Sequence, residues 1–283
     1  MERIEPLTPS DLEQADALVA EAGWNQNAAD WRIFLQLGSG LAARAADGTL
    51  AGTAAVLPYA GGFGWISMVL VARPFRRRGI ATRLLQRCIE KMQASGVVPV
   101  LDATPAGREV YKPLGFRDGW PITRWRRSGA APAAQASAQS PRVRALHERD
   151  WPALRALDAR AFGCDRGALL ERLRARSAGF ACVCETDGSV RGFLLGREGR
   201  VATQLGPIVT EDEAAAIALA AWANARLAPP VIVDALDRHR GLAGWLAANG
   251  FAKERPYMRM TLGRDEPFGD ARRTIAIAGP ELG

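Results

Sequence analysis

The stretch Val69-Leu70-Val71-Ala72-Arg73-Pro74-Phe75-Arg76-Arg77-Arg78-Gly79-Ile80-Ala81-Thr82-Arg83-Leu84-Leu85 restricts the fold more than any other part of the chain. It starts as a buried strand, the β-branched run from Ile66 to Val71, closed by Pro74 because proline has no amide to donate to a central ladder. It continues as an amphipathic helix. Ile80, Leu84, Leu85, Cys88, Ile89 and Met92 share one face at a helical period, and Gly96 ends it. Between strand and helix, Gly79 lets a ligand approach the backbone closely, and the first helical amides point outward without partners. A helix N-terminus flanked by Arg76, Arg77 and Arg78 suits an anion such as a pyrophosphate. Neither a Walker A sequence nor Gly-x-Gly-x-x-Gly occurs, so nucleotide hydrolysis and dinucleotide binding find no support.

The spacing Arg76-x-x-Gly79-x-Ala81, following Val71-x-x-Pro74, resembles the acetyl-CoA signature of the GNAT superfamily of N-acyltransferases, Arg/Gln-x-x-Gly-x-Gly/Ala. The resemblance covers about Leu50 to Phe116 and implies an enzyme that moves an acetyl group from acetyl-CoA to a primary amine of a small molecule or peptide. It places the phosphates on the amides of Arg76, Arg77, Arg78, Gly79, Ile80, Ala81 and Thr82. The pantetheine arm would lie along Val69, Leu70 and Val71, one amide polarising the thioester carbonyl. Tyr111, four residues before Gly115-Phe116, matches the family's Tyr-x-x-x-Gly-Phe, whose tyrosine protonates the leaving thiolate; otherwise it packs against the sheet. A phenol of pKa about 10 can donate to a thiolate whose conjugate acid has a pKa of about 8.5.

Family members often carry a Glu on the motif strand, but Trp65, Ile66, Ser67 and Met68 include no acid. Asp102, ending the next strand, is the candidate base or ammonium anchor; a helix cap is the alternative, and a water chain could also serve. Thr104 stands where the family often has an Asn, seven residues before the Tyr. The break at Gly23-Trp24 falls where GNAT folds line the acceptor pocket, so Trp24, Asn27 and Asp30 are candidate substrate contacts. The alternatives are packing for Trp24 and a helix N-cap for Asn27.

The 283 residues suffice for one large or two ordinary domains, and the net charge of +7, carried almost wholly by Arg, favours acidic ligands such as CoA. Basic residues are spread along the chain without interleaved aromatics, which argues against nucleic acid as the partner. Cys88, Cys164, Cys182 and Cys184 have no metal spacing and fit reduced thiols in a cytoplasmic protein; no metal is expected. His147 and His239 have no metal or triad partners and are expected at the surface. No signal peptide or membrane span is visible.

Residues 127–141 contain no large apolar side chain and read as a linker. On either side the chain repeats itself. Ile4-x-x-Leu7-x-x-x-Asp11 recurs as Val143-x-x-Leu146-x-x-x-Asp150, and Ala51-Gly52-Thr53 as Arg191-Gly192-Phe193. Val100-Leu101-Asp102-Ala103, then Gly115-Phe116, recurs as Ile232-Val233-Asp234-Ala235, then Gly250-Phe251. The expected fold class is α/β: two GNAT-like domains (1–126 and 142–263), each a mixed, mostly antiparallel sheet flanked by helices, with an unassigned tail at 264–283. Where the first half has Arg76 to Ala81, the second has Glu211-Asp212-Glu213, acids that would repel a pyrophosphate. That half is expected to bind no CoA and to close the acceptor site or form a homodimer face. A non-catalytic acyl-CoA sensor with a partner-recognition domain is the alternative function.

Overall fold

The computed structural model describes residues 2–130, 141–177 and 179–283, and the chain forms two compact units. The first is Met1–Leu101, joined by Gly199–Val201 and Leu282. Its elements are β1 (Arg3–Leu7), α1 (Leu12–Ala22), α2 (Ala28–Leu37), β2 (Ser39–Arg44), β3 (Leu50–Tyr59), β4 (Phe63–Val71), α3 (Ile80–Ala94) and β5 (Val98–Ala103), whose last two residues belong to the second unit. β1 to β4 form an antiparallel meander in sequence order, and β5 joins β4 in parallel. The periodic face expected of α3 is the buried one: Ile80, Leu84, Leu85, Cys88 and Met92. It packs on β3 and β4, so a Cβ at Gly52 would come within 3.3 Å of Ile80 and 3.4 Å of Leu84, and within 2.7 Å of Leu70 O on the neighbouring strand.

The second unit continues with α4 (Pro105–Tyr111), β6 (Phe116–Arg127), β7 (Arg142–Ala145), α5 (Trp151–Phe162), α6 (Gly167–Arg176), β8 (Cys182–Thr186), β9 (Ser189–Glu198) and β10 (Thr203–Thr210). After these come α7 (Glu213–Asn224), β11 (Val231–Leu236), α8 (Arg240–Ala248), β12 (Phe251–Leu262) and β13 (Thr274–Ala276). Its strand order is β12-β6-β11-β13-β10-β9-β8-β7. The core on one face gathers Ala216, Leu219, Ala220 and Ala223 of α7 with Leu194, Leu205, Val231, Val233 and Phe251. Cys182 and Cys184 lie in that core, and burial pushes both thiols up.

The sequence repeat is visible in three dimensions. Asp11 and Asp150 are both buried and take the same position, each accepting the amide three residues back (Thr8 at 2.8 Å, His147 at 2.9 Å). Each also pairs with an arginine, Arg44 and Arg144 respectively. The strand that ends the first repeat, β6, is hydrogen-bonded between β11 and β12 of the second. Arg127, expected to open the linker, is instead the buried last residue of β6. Its guanidinium donates to Asn224 Oδ1 (2.8 Å) and to Leu227 O (2.9 Å). Residues 131–140 of that linker lie outside the described residues.

Two buried forks follow from this arrangement. Arg124 of β6 donates through Nε and Nη2 to Asp234 of β11 (2.7 and 2.8 Å), and Gln204 Nε2 adds a third donor at 2.6 Å. Arg259 of β12 donates in the same way to Asp102 at the end of β5 (2.9 Å twice). Asp102 and Asp234 are repeat equivalents, and so are Arg124 and Arg259, each eight residues past the phenylalanine that opens its strand. The pairs are therefore crosswise: each repeat's aspartate is held by the other repeat's arginine.

Arg124→Met leaves Asp234 buried with only Gln204 as donor and should cost about 3–5 kcal/mol of stability. The double variant Arg124→Met/Asp234→Leu should recover much of this. Urea denaturation of the four corners of this cycle reads both effects, and an undiminished single variant would remove the fork from the stability argument.

Candidate active site

The motif strand and turn fold as a unit because each joint has a local cause. β4 bulges at Met68, whose φ is 53°: Thr53 faces Leu70 but Ala55 faces Ser67, so the intervening residues of β4 are displaced outward. Thr53 Oγ1 donates to Met68 O at 2.9 Å and pins the bulge from β3. β4 pairs with β5 only over Phe63–Trp65. Beyond that, among the described residues, Ser67 to Val71 pair with β3 alone, so the other edge of the strand is open. Ser67 Oγ, just before the bulge, is buried without a partner among the described residues.

Past Val71 the chain makes one 3-10 turn, Arg73–Phe75, and enters α3 through Arg77 and Gly79, both left-handed (φ 61° and 72°). A side chain at Gly79 would meet open space but an unfavourable backbone conformation. The first amide to enter the helical ladder is that of Arg83, donating to Gly79 O. The amides of residues 77–82 have no partner among the described residues, and all of these residues except Ile80 are exposed. Successive unpaired amides with left-handed residues among them form a concave anion seat.

Glu21 of α1 organises the arginines. Its Oε1 accepts the Arg73 amide at 2.9 Å and the Arg76 guanidinium at 3.3 Å, while Arg76 Nε donates to Val71 O at 3.0 Å. Arg78 folds over the Phe75 ring and donates to Pro74 O. Arg77 stands exposed. Glu21 was not legible in the sequence: a lone acid near the end of an amphipathic helix resembles any solvated residue.

The α1–α2 junction lies three residues on from Glu21 in the same unit. Gly23, left-handed at φ 67°, ends α1. Asn27 and Asp30 form a capping box: Asn27 Oδ1 accepts the Ala29 amide and Asp30 Oδ2 accepts the Asn27 amide, both at 2.9 Å. The Asp30 carboxyl is wholly buried, so the structure gives it a capping role and no solvent-facing surface. Trp24 is half-buried. The turn Gly199–Val201 covers this junction, with the Arg200 amide donating to Asn25 O at 2.7 Å.

Asp102 and Tyr111 belong to the second unit. The expectation that Asp102 serves as base meets a physical obstacle: its side chain is fully buried, and both oxygens accept from Arg259. It is also not a helix cap. Thr104 performs that task for α4, its Oγ1 accepting the Gly107 amide at 3.2 Å. Tyr111 ends α4 half-buried, with its ring 6.0 Å from that of Phe116 and its hydroxyl unpartnered among the described residues. Burial raises its pKa above the usual phenol value, which keeps it protonated. His239, expected at the surface, has Nε2 3.0 Å from both Ala271 O and Thr274 O.

No group of three or more His, Cys, Asp or Glu side chains among the described residues is placed to hold a metal. Among the described residues, no helix is long and apolar enough to cross a membrane.

Comparison with known proteins agrees with this architecture. Residues 10–116 match the model of the acetyltransferase (GNAT) family, and residues 154–276 match that of an acetyltransferase (GNAT) domain. The Bacillus subtilis protein YitH, described as an uncharacterized N-acetyltransferase, is 25% identical over 189 residues, 67% of this chain and 66% (just under two thirds) of its own length. Among solved structures, a Pyrococcus horikoshii protein superposes with a TM-score of 0.80 at 21% identity, covering 100% of this chain and 96% of its own. A GCN5-related N-acetyltransferase from Sphaerobacter thermophilus gives 0.65 at 20% identity, covering 96% and 98%. A tandem GNAT protein from the clavulanic acid biosynthesis pathway gives 0.65 at 14% identity, covering 92% and 98%. These structural likenesses establish the fold, and the two family matches establish the lineage: the chain belongs to the GNAT acetyltransferases and carries two GNAT domains in tandem.

Proposed function

We propose that the chain is an acetyl-CoA-dependent N-acetyltransferase with one working site, in its first half, acting on a primary amine of a small molecule or peptide. The observation that carries this reading is the run of unpartnered amides at residues 77–82, one short turn beyond a strand edge that β5 leaves open. The donors fit the ligand: six consecutive amides and three arginines suit a pyrophosphate, and an unpaired edge suits the amide-bearing pantetheine arm. Each helix-terminus contact of this kind contributes about 0.3–1 kcal/mol, and up to about 2 when partly buried. Acetyl-CoA supplies the activated acyl group. Around it, the amides of Arg77 to Thr82 bind phosphate oxygens, the expected Arg76 amide being held instead by Arg73 O at 3.3 Å, and the backbone of Val69 to Val71 orients the arm. An amide at the bulge donates to the carbonyl oxygen where charge develops, and the Tyr111 hydroxyl gives its proton to the departing sulfur.

Asp102 enters this reading as a positioning residue, since its carboxylate is committed to Arg259 and lies two residues before the cap of α4, the helix that carries Tyr111. With no acid on β4 and Asp102 occupied, the amine enters already neutral. Trp24 remains the proposed acceptor contact, with Asn27 and Asp30 shaping the junction around it.

Calorimetric titration with acetyl-CoA should give one molecule per chain, and Gly79→Glu should abolish binding by placing bulk and negative charge in the anion seat; retained binding would put the phosphates elsewhere. Tyr111→Phe should leave acetyl-CoA binding intact and slow turnover about 100-fold or more. The wild-type alkaline limb that reports Tyr111 should lie above pH ~10, because burial shifts the phenol upward and its acid form is lost only as pH rises through that raised value. Unchanged turnover in Tyr111→Phe would remove the residue from the mechanism. The acid limb of kcat/KM should move with the pKa of the acceptor amine across a series of amines; a limb fixed near pH ~4–6 would instead indicate an enzyme carboxylate or histidine.

A further inference from the structure

The second half contains a groove built like the one beside β4, and it is filled. In both halves two parallel strands pair over three residues and then part: β4 and β5 over Phe63–Trp65 and Val98–Val100, β10 and β11 over Thr203–Leu205 and Val231–Val233. Into the second gap runs β13, antiparallel to both walls, with Ala276 opposite Ile208 on one side and Ala235 on the other. Its backbone is bonded to each wall: Thr210 N donates to Arg273 O at 3.1 Å, and Ile277 N donates to Asp234 O at 3.0 Å. Ile275, Ala276, Ile277 and Ala278 are at most 1% exposed. Gly206 is shaped to this passage, because a Cβ there would come within 2.0 Å of Ile277 O.

The seat extends to the place that corresponds to the anion loop. Glu211, at the entry to α7, pairs with Arg273, and Asp270 holds the same guanidinium at 3.1 Å. Asp212 caps α7 through the Ala214 amide. His239 Nε2 lies between the carbonyls of Ala271 and Thr274. The electrostatics are the reverse of the first half: there basic residues surround unpaired amides, and here an acid receives an arginine.

We propose that the groove of the second half is a peptide-strand site, a cofactor cleft converted to bind an extended arginine-bearing segment by strand addition on both edges, and that residues 270–278 of this chain are its occupant. The ligand class is a strand with arginine at the acidic mouth followed by small and β-branched residues in the buried run. The inference does not rest on the activity assigned to the first half.

The test uses the full chain with a specific protease sequence inserted between the exposed residues Asp265 and Glu266 and cut after folding. The released segment should co-elute with the body in gel filtration and separate only in urea. A labelled synthetic peptide of residues 268–283 should rebind the stripped body and restore the unfolding temperature of the cut complex. Peptide carrying Arg273→Glu should bind at least about tenfold more weakly, which corresponds to about 1.4 kcal/mol, and Ile275→Asp should not bind. Dissociation without urea, failure of the peptide to rebind a body that keeps its secondary structure, or equal binding of the Arg273→Glu peptide would overturn the proposal. If the stripped body does not refold, uncut chains bearing Arg273→Glu or Ile275→Asp decide the matter. Both should unfold at lower temperature than wild type, and unchanged values would overturn it. Acetyl-CoA stoichiometry should be the same with and without the segment; a second equivalent on its removal would mean that the groove is still a cofactor site, and the proposal fails.

Discussion

Two buried aspartate–arginine forks, laid crosswise over the β6–β12 ribbon, fix the rest of this structure. Arg124 lies over the Tyr257 ring and Arg259 over Trp120, so each guanidinium is also stacked on an aromatic ring of the opposite strand. Taking such charges out of water costs several kcal/mol per ion, and the forks offset that cost without large surplus. Their effect is on register. A one-residue slip of β6 against β11 or β12 would turn Arg124 to the other face and leave Asp234 without its principal partner in a dry interior.

The same forks link the fold to the proposed chemistry. Arg259 holds Asp102, the next residues turn at the Thr104 cap, and α4 then delivers Tyr111. Asp118 of β6 accepts from Arg108 in the middle of α4, Nε to Oδ1 at 2.7 Å, so the helix is tied to the sheet by a second carboxylate. In the first unit the corresponding constraints are smaller: one hydroxyl, Thr53, on the bulge, and one carboxylate, Glu21, on the arginine turn. The anion seat depends on backbone conformation, which is why a few short contacts suffice to define it.

Much of this was legible in the sequence, for identifiable reasons. The strand, turn and helix around Gly79 declare themselves because apolar periodicity and a positive-φ position are local properties. The tandem repeat is legible because both copies retain their turn glycines and strand-end aspartates. Pairing partners are not local. Arg124 and Arg259 look like any solvated arginine in a strand of mixed polarity, so nothing marked them as buried or β6 as a neighbour of β11. Ile275-Ala276-Ile277 is too short to carry a period, and its burial depends on a gap between distant strands. Asp102 drew attention as a strand-end acid, but only the structure shows Arg259 on both of its oxygens.

The placement of β6 also bears on how this chain can change over time. The half that has acids where the other has its arginine loop does not carry the proposed chemistry. Yet β6, encoded before the linker, finds both of its hydrogen-bonding neighbours in segments encoded after it. A gene shortened at the linker would produce a strand with two bare edges and a buried arginine without its carboxylate, a template for aggregation. The second copy is thus tied to the first by topology: the strand that ends one copy has its sheet partners in the other.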